Sequence, residues 1–182
     1  MNESRVSVRY SRALFQSALE KKILDRVYRD MIHISEICTV PGVKEVLESP
    51  IIIPSKKTEI LLAVFGNDLS ETTISLVEMV VRNGREKFLP AIARVFMHET
   101  KEYKGITETV LTTAVKVDAE IKKQISEFIS DTFKTKVELK EIVDKDIIGG
   151  FMLKIEDNYI DASIKSKLRK VEKELKNRAL IT

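Results

Sequence analysis

One change of rhythm constrains this chain more than any other feature. Up to about Lys104, apolar residues recur every three or four positions, the period of a helix face. After Gly105, strand-like alternation takes turns with helical spacing. In a chain of 182 residues, one such break predicts an α+β protein, with an N-terminal six-helix bundle over 1–104 followed by a small α/β domain over 105–182. Charge does not change at the break. Both halves are slightly basic within a whole-chain net charge of +3. The boundary is therefore one of secondary structure.

In the first half the first helix is expected over Val6–Glu20, with Val6, Tyr10, Ala13, Leu14, Ser17 and Ala18 on one face. The second runs through Val27, Met31 and Ile34 and stops before the breaker pair Pro41-Gly42. A short helix follows over Val43–Leu47. Pro54 opens the next in its first turn, and Gly66 closes it as a left-handed cap. Asp68 and Glu71 have the spacing of a capping box for a helix carrying Ile74, Val77 and Val81, which ends at Asn83-Gly84. A last helix places Leu89, Ile92, Ala93, Phe96 and Tyr103 inward. In the second half, strands are expected at Thr107–Val115, at Val137–Lys140 and at Phe151–Ile155, with Asp157-Asn158 turning the third into a hairpin. Asp118 opens a helix whose inner face is Ile121, Ile125, Phe128, Ile129 and Phe133. The final helix carries the stripe Ile164, Leu168, Val171 and Leu175, expected to turn inward onto a three-strand sheet.

Chemistry is sparse. The six glycines form neither a phosphate loop nor a dinucleotide fingerprint. His33 and His98 lie on separate helices without carboxylates at metal spacing, and the lone Cys38 reads as a small buried hydrophobe. Asp144 and Asp146 before Gly149-Gly150 read as a turn whose aspartates bond their own backbone rather than as a cation site. No cofactor or metal is called for, and no catalytic residue set is visible. No stretch has the length of a signal or a membrane span, so the chain is expected to stay in the cytosol and to meet a membrane only through a partner. The last helix is basic, with seven cations against two acids over 163–178, including Lys165, Lys167 and Lys170. It has no aromatic group for base stacking, so a solvated face, or one meeting an acidic partner helix, is favoured over nucleic acid. A helical nucleic-acid-binding or regulatory protein using this helix is the alternative reading.

Several fragments carry a resemblance by their order. Arg9-Tyr-Ser-Arg-Ala-Leu-Phe15 comes first, then Ser49-Pro50 with Lys56 or Lys57 and Leu61-Leu62 after it. Asn83-Gly84-Arg85 follows, then Asp144, Gly149-Gly150, and Asp161-Ala-Ser163. This series resembles the delta subunit family of bacterial F-type ATP synthases, whose mitochondrial counterpart confers oligomycin sensitivity. Ala162 departs from the family pattern, in which glycine is common there. The resemblance implies a non-catalytic stator subunit on the cytoplasmic face of the membrane. The helical domain would hold the alpha subunit's N-terminal helix, and the C-terminal domain the end of the b-subunit stalk, so that ion flow is coupled to ATP synthesis. It also implies a groove between the first and fifth helices. Candidates there are Tyr10, Ala13 and Leu14 from one helix and Ile74, Val77 and Val81 from the other, each with internal core packing as its other reading. Lys165, Lys167 and Lys170 are candidates for the stalk contact.

Overall fold

The structure is a computed structural model that describes residues 5–66, 68–156 and 158–179, with the side chains of 133, 173–175 and 177–179 outside the description. The chain divides into two compact units, Met1–Tyr103 and Lys104–Thr182. In the first, α1 spans Arg5–Glu20, α2 Leu24–Ile37, α3 Pro41–Glu48, α4 Pro54–Phe65, α5 Glu71–Arg82 and α6 Leu89–Tyr103, with a 3-10 turn at Glu86–Phe88. Each long helix gives one stripe to a shared core: Leu14 and Ala18, then Val27, Met31 and Ile34, then Leu61 and Phe65, then Val77, Val80 and Val81, then Leu89, Ile92 and Phe96. Phe15 meets Phe96 edge-on at 6.1 Å and Tyr103 at 5.5 Å. Tyr103 therefore caps the edge of the core and stays largely exposed instead of entering it.

Several helix ends differ from their sequence reading. Pro41-Gly42 does not merely stop α2, because Pro41 takes the first position of α3, where a missing N–H costs nothing. Gly66 has a positive φ but an extended ψ, so it is not a left-handed cap. Asp68 is not the cap of α5. Its carboxylate pairs with Arg26 at 2.8 Å, and Ser70 accepts the Thr73 N–H instead. The first helix ends in a Schellman turn, with Ile23 N–H on the Ala18 carbonyl and Lys22 N–H on that of Leu19. A lysine there holds φ at 58°, where glycine would sit without strain. Inside the unit, Lys57 is only 3% exposed. Its ammonium meets Glu86 at 2.5 Å and donates to the Ser49 carbonyl at 2.8 Å, tying α4 to the 3-10 turn and to the end of α3. Of the two lysines at this point in the sequence, Lys57 is the buried one.

The second unit is a four-strand sheet in the order β2-β1-β3-β4, the three expected strands with the return strand of the expected hairpin as the fourth. The strands are β1 Ile106–Thr113, β2 Lys136–Val143, β3 Phe151–Ile155 and β4 Asn158–Asp161. β1 and β2 run parallel, joined through α7 Ala119–Phe133, and β3 is antiparallel to both β1 and β4. Asp157, expected to turn this hairpin, lies outside the described residues. Register aligns Thr109 with Leu139 and Ile155, and Leu111 with Glu141 and Leu153, so these share one face. Ile125 and Ile129 of α7 cover that face. Glu141 accepts from Lys122 and from the Val117 N–H at 2.7 Å, which lowers its carboxyl pKa, and it fastens the start of α7 to β2. Ile121 and Phe128, read as inner-face residues, are exposed instead because the helix turns only one narrow stripe to the sheet. Phe133 is among the side chains not described.

The last helix, α8, spans Ile164–Ala179 and starts against the double glycine. Ala162 N–H donates to Phe151 and Ile164 N–H to Gly149, both at 2.9 Å. A Cβ at Gly150, whose φ is +75°, would overlap the Ala162 carbonyl, so this crossing admits only glycine. Ser163 caps the helix by accepting Ser166 N–H. Asp161 accepts the Ser163 N–H and the Ser166 hydroxyl. Those bonds, led by Ser163, hold the Asp161 carboxyl down at about 2. The apolar stripe of α8 does not turn inward. Ile164, Leu168 and Val171 are all exposed, and among the described residues the main contact of α8 within the unit is with the turn at Lys145–Ile147. Leu175 lies outside the described side chains.

Three outcomes follow from these contacts. Lys57→Met strands the Glu86 carboxylate in a buried position and should cost about 3–5 kcal/mol by urea denaturation, with Lys57→Met/Glu86→Met recovering much of it. Lys22→Gly should raise stability by roughly 0.5–1 kcal/mol in the same assay, as left-handed strain is relieved against a smaller loss from a freer unfolded chain. Asp161 has a folded pKa below the ordinary 3.8. Its contribution is therefore complete above that value and lost as pH falls through about 2. The Ser163 and Ser166 amide resonances should move across this window in the wild type and stay still in Asp161→Asn.

Candidate protein-interaction site

The first surface lies where α1 and α5 meet. Two bonds fix them as an antiparallel pair. Lys21 Nζ donates to Thr72 Oγ1 at 3.1 Å at one end, and Asn83 Nδ2 donates to the Tyr10 hydroxyl at 3.0 Å at the other. On α1, Tyr10, Ala13, Ser17 and Lys21 fall at three-and-four spacing on the side turned to α5. On α5 the facing stripe is Thr72, Leu76, Met79 and Asn83. Between the tied ends Ala13 is exposed, Ser17 half-buried and Met79 51% exposed. Small groups on one wall and a flexible thioether on the other leave a shallow apolar seam that a helix can approach closely.

The expected groove residues separate into two sets. Ala13 stands at the seam. Tyr10 is 8% exposed and forms its floor, where its ring lies beneath the Arg9 guanidinium at 5.6 Å. Leu14, Val77 and Val81 are core residues, 4%, 0% and 1% exposed, and Ile74 is half-buried against the same core. They point away from the seam because Ile74, Val77 and Val81 mark the inward stripe of α5, whereas the outward one runs through Met79. Met79 was missed in the sequence reading. Its signal was available in its spacing of seven from Thr72 and four from Asn83. Beyond the seam, Arg5, Arg9 and Arg12 line a surface hollow on α1 with Val8, Ala13 and Gln16, and Arg12 approaches Glu99 at 3.7 Å. The border of the seam is therefore basic.

The other motif residues serve the backbone. Asn83, Gly84 and Arg85 form a second Schellman turn, with Arg85 N–H on Val80 and Gly84 N–H on Val81, both at 2.9 Å. This turn aims the Asn83 amide at Tyr10. Asp144 accepts the Asp146 N–H at 2.9 Å, a local turn. Asp161, Ser163, Gly149 and Gly150 build the start of α8. Lys167 and Lys170 are exposed on that helix and Lys165 is half-buried. His33 is spent on the Phe65 carbonyl at 2.9 Å. Burial pushes the Cys38 thiol up to about 11, so it stays protonated. No described helix is long and apolar enough to cross a membrane.

Known proteins resemble this chain along nearly its whole length. The family model of the ATP synthase delta (OSCP) subunit matches residues 6–175. The ATP synthase subunit delta of Christiangramia forsetii is 33% identical over 183 aligned positions, covering 100% of this chain and 99% of that protein. The subunit delta of Bacteroides thetaiotaomicron is 33% identical, with 97% of each chain covered. Among solved structures, a chain of the Toxoplasma gondii mitochondrial ATP synthase hexamer superposes with a TM-score of 0.73 at 18% identity, covering 94% of this chain and 98% of that one, a likeness of fold. With its sequence matched from the first helix into the last, this chain belongs to the ATP synthase delta (OSCP) subunit family.

Proposed function

We propose that this chain is a non-catalytic stator subunit of an F-type ATP synthase, joining the catalytic head to the peripheral stalk so that the head does not turn with the rotor. The first unit, the helical bundle, takes the head through the alpha subunit's N-terminal helix. The second unit takes the C-terminal end of the b-subunit stalk. The protein works at the cytoplasmic face of the membrane, held there through the complex. The observation that carries this reading is the full-length family match in a chain whose two units each leave apolar helix surface uncovered. The α1–α5 seam suits a helix, since a helix laid in a groove gives contact area without reshaping its host. Its arginine border favours a partner helix with acidic residues beside its apolar face. Nucleic acid is a poorer fit to α8, because phosphates would leave the exposed Leu168 and Val171 in water.

The test uses the full-length chain and a peptide copying the alpha subunit's N-terminal helix, with binding followed by calorimetry. Ala13→Glu and Met79→Glu should each weaken binding at least tenfold, about 1.4 kcal/mol, with an unchanged circular dichroism spectrum. Both positions are exposed, so neither variant disturbs the core. Equal affinity in the wild type and both variants would remove the head from this seam.

A further inference from the structure

The parallel pairing of β1 and β2 gathers cations at the start of both strands. Lys136 N–H donates to the Gly105 carbonyl at 3.0 Å, and Ile106 stands beside Lys136 in the register. Segments distant in the chain thereby meet at the end of α7. A hollow of about 610 Å³ opens there among Lys104, Ser130, Asp131, Lys134, Thr135 and Lys136. Three lysines and one acid line it. Other lysines of this unit are spent on carboxylates, Lys122 on Glu141, Lys123 on Glu127 and Lys176 on Glu172. Lys134 and Lys136 are exposed and form no ion pair among the described residues. Like charges gathered at one place repel, and an anion bound among them reverses the sign of the interaction.

A second observation belongs to the same hollow. Thr135 Oγ1 is buried and has no hydrogen-bond partner among the described residues. Ser130 Oγ beside it is already spent on the Thr135 carbonyl at 2.8 Å. A buried hydroxyl without a partner loses its hydration and gains nothing in return, and native proteins keep few such groups unless water or an ion meets them. An oxyanion answers both observations, since its oxygens accept from a hydroxyl and from several ammonium groups at once. No described aromatic side chain lines the hollow, so a nucleotide base gains no stacking there.

We propose that Lys104, Lys134, Lys136 and the Thr135 hydroxyl form a binding site for a phosphate-class oxyanion, either inorganic phosphate or a condensed phosphate. The bound anion cancels the repulsion among the lysines and ties the end of α7 to the starts of β1 and β2. Occupancy therefore stabilises the second unit by mass action. The site uses neither apolar docking surface and stands apart from the stator reading.

The experiment titrates the full-length chain with inorganic phosphate, pyrophosphate and tripolyphosphate at constant ionic strength, with chloride as the control. The amide resonances of Gly105, Ser130, Thr135 and Lys136 should move and saturate, and the order of affinity among the three anions tells a single phosphate from a condensed one. Lys134→Gln/Lys136→Gln should weaken binding at least tenfold. Lys140→Gln, an exposed lysine of β2 outside the hollow, should leave it unchanged. Thr135→Val keeps the branched shape and removes the hydroxyl. It should raise the Tm of the free protein yet lower affinity severalfold, whereas a threonine with only a structural role would leave affinity alone. ATP should bind no more tightly than tripolyphosphate. Shifts that never saturate, a double variant that binds like the wild type, or an equal loss in Lys140→Gln would each overturn the site. ATP binding tenfold more tightly than tripolyphosphate would overturn the phosphate class in favour of a nucleotide.

Discussion

The first unit depends on holding α5 at both ends while three neighbours bury it. At its start the buried carboxylate of Asp30 accepts the Ser70 N–H at 2.9 Å and the Thr73 hydroxyl at 2.8 Å. An acid at a helix N-terminus meets both unpaired N–H groups and the positive end of the dipole. At its finish the Gly84 turn sends Asn83 back to Tyr10 of α1. With its ends fixed, Leu76, Val77, Val80 and Val81 are committed to the interior and Met79 is left outside. The seam is the remainder of that commitment. Moving α5 by one residue would exchange Met79 for Val80 on the surface and break the ties at both ends.

The second unit solves a different problem with fewer groups. Among the described residues its buried apolar cluster is Leu111, Ile129, Leu153 and Ile155, with α7 lying over that face of the four-strand sheet. A core of that size has little room for further side chains, which is why Ile121, Phe128 and the α8 stripe remain in water. Order at the start of α8 comes from polar and steric detail instead. The glycine crossing, the Ser163 cap and the Asp161 bonds to Ser163 and Ser166 fix where the helix begins without burying its apolar side. Such a helix is positioned by its first turn and left open from Ile164 to Val171.

Much of this was legible from spacing. Helix existence, the break near Gly105 and the inward stripes of α2, α5 and α6 follow from periodicity, because a core selects one face of each helix strongly. Caps were harder. Asp68 has the right chemistry for a cap, but Arg26 from a distant helix claims it, and Ser70 takes its place. The groove was half legible. Periodicity finds which face is buried, so it proposed Val77 and Val81, whereas a binding seam lies on the flank beside that face, as at Ala13 and Met79. The same logic misled at α8. An apolar stripe was read as inward because most are. Its direction depends on the size of the core behind it, a property of the whole second unit that no local pattern encodes.

The two surfaces ask for different binding physics, and the proposed stator role needs that difference. The α1–α5 seam is shallow and lined by small groups, so close backbone approach supplies most of its attraction. The α8 stripe projects and offers interdigitating aliphatics instead. A helix matched to one is mismatched to the other, since knobs that need holes find none in a shallow seam. On the proposed reading, head and stalk helices would thereby be kept from exchanging places on one chain, a specificity gained from shape before charge is considered. With both proposed sites on one polypeptide, binding at the first would raise the local concentration of the second partner, provided the complex lets both be reached. Moderate affinity at each site then suffices for a durable link. This accounts for a chain that leaves Leu168 and Val171 exposed where a deeper interface would need more buried area than so small a second unit can supply.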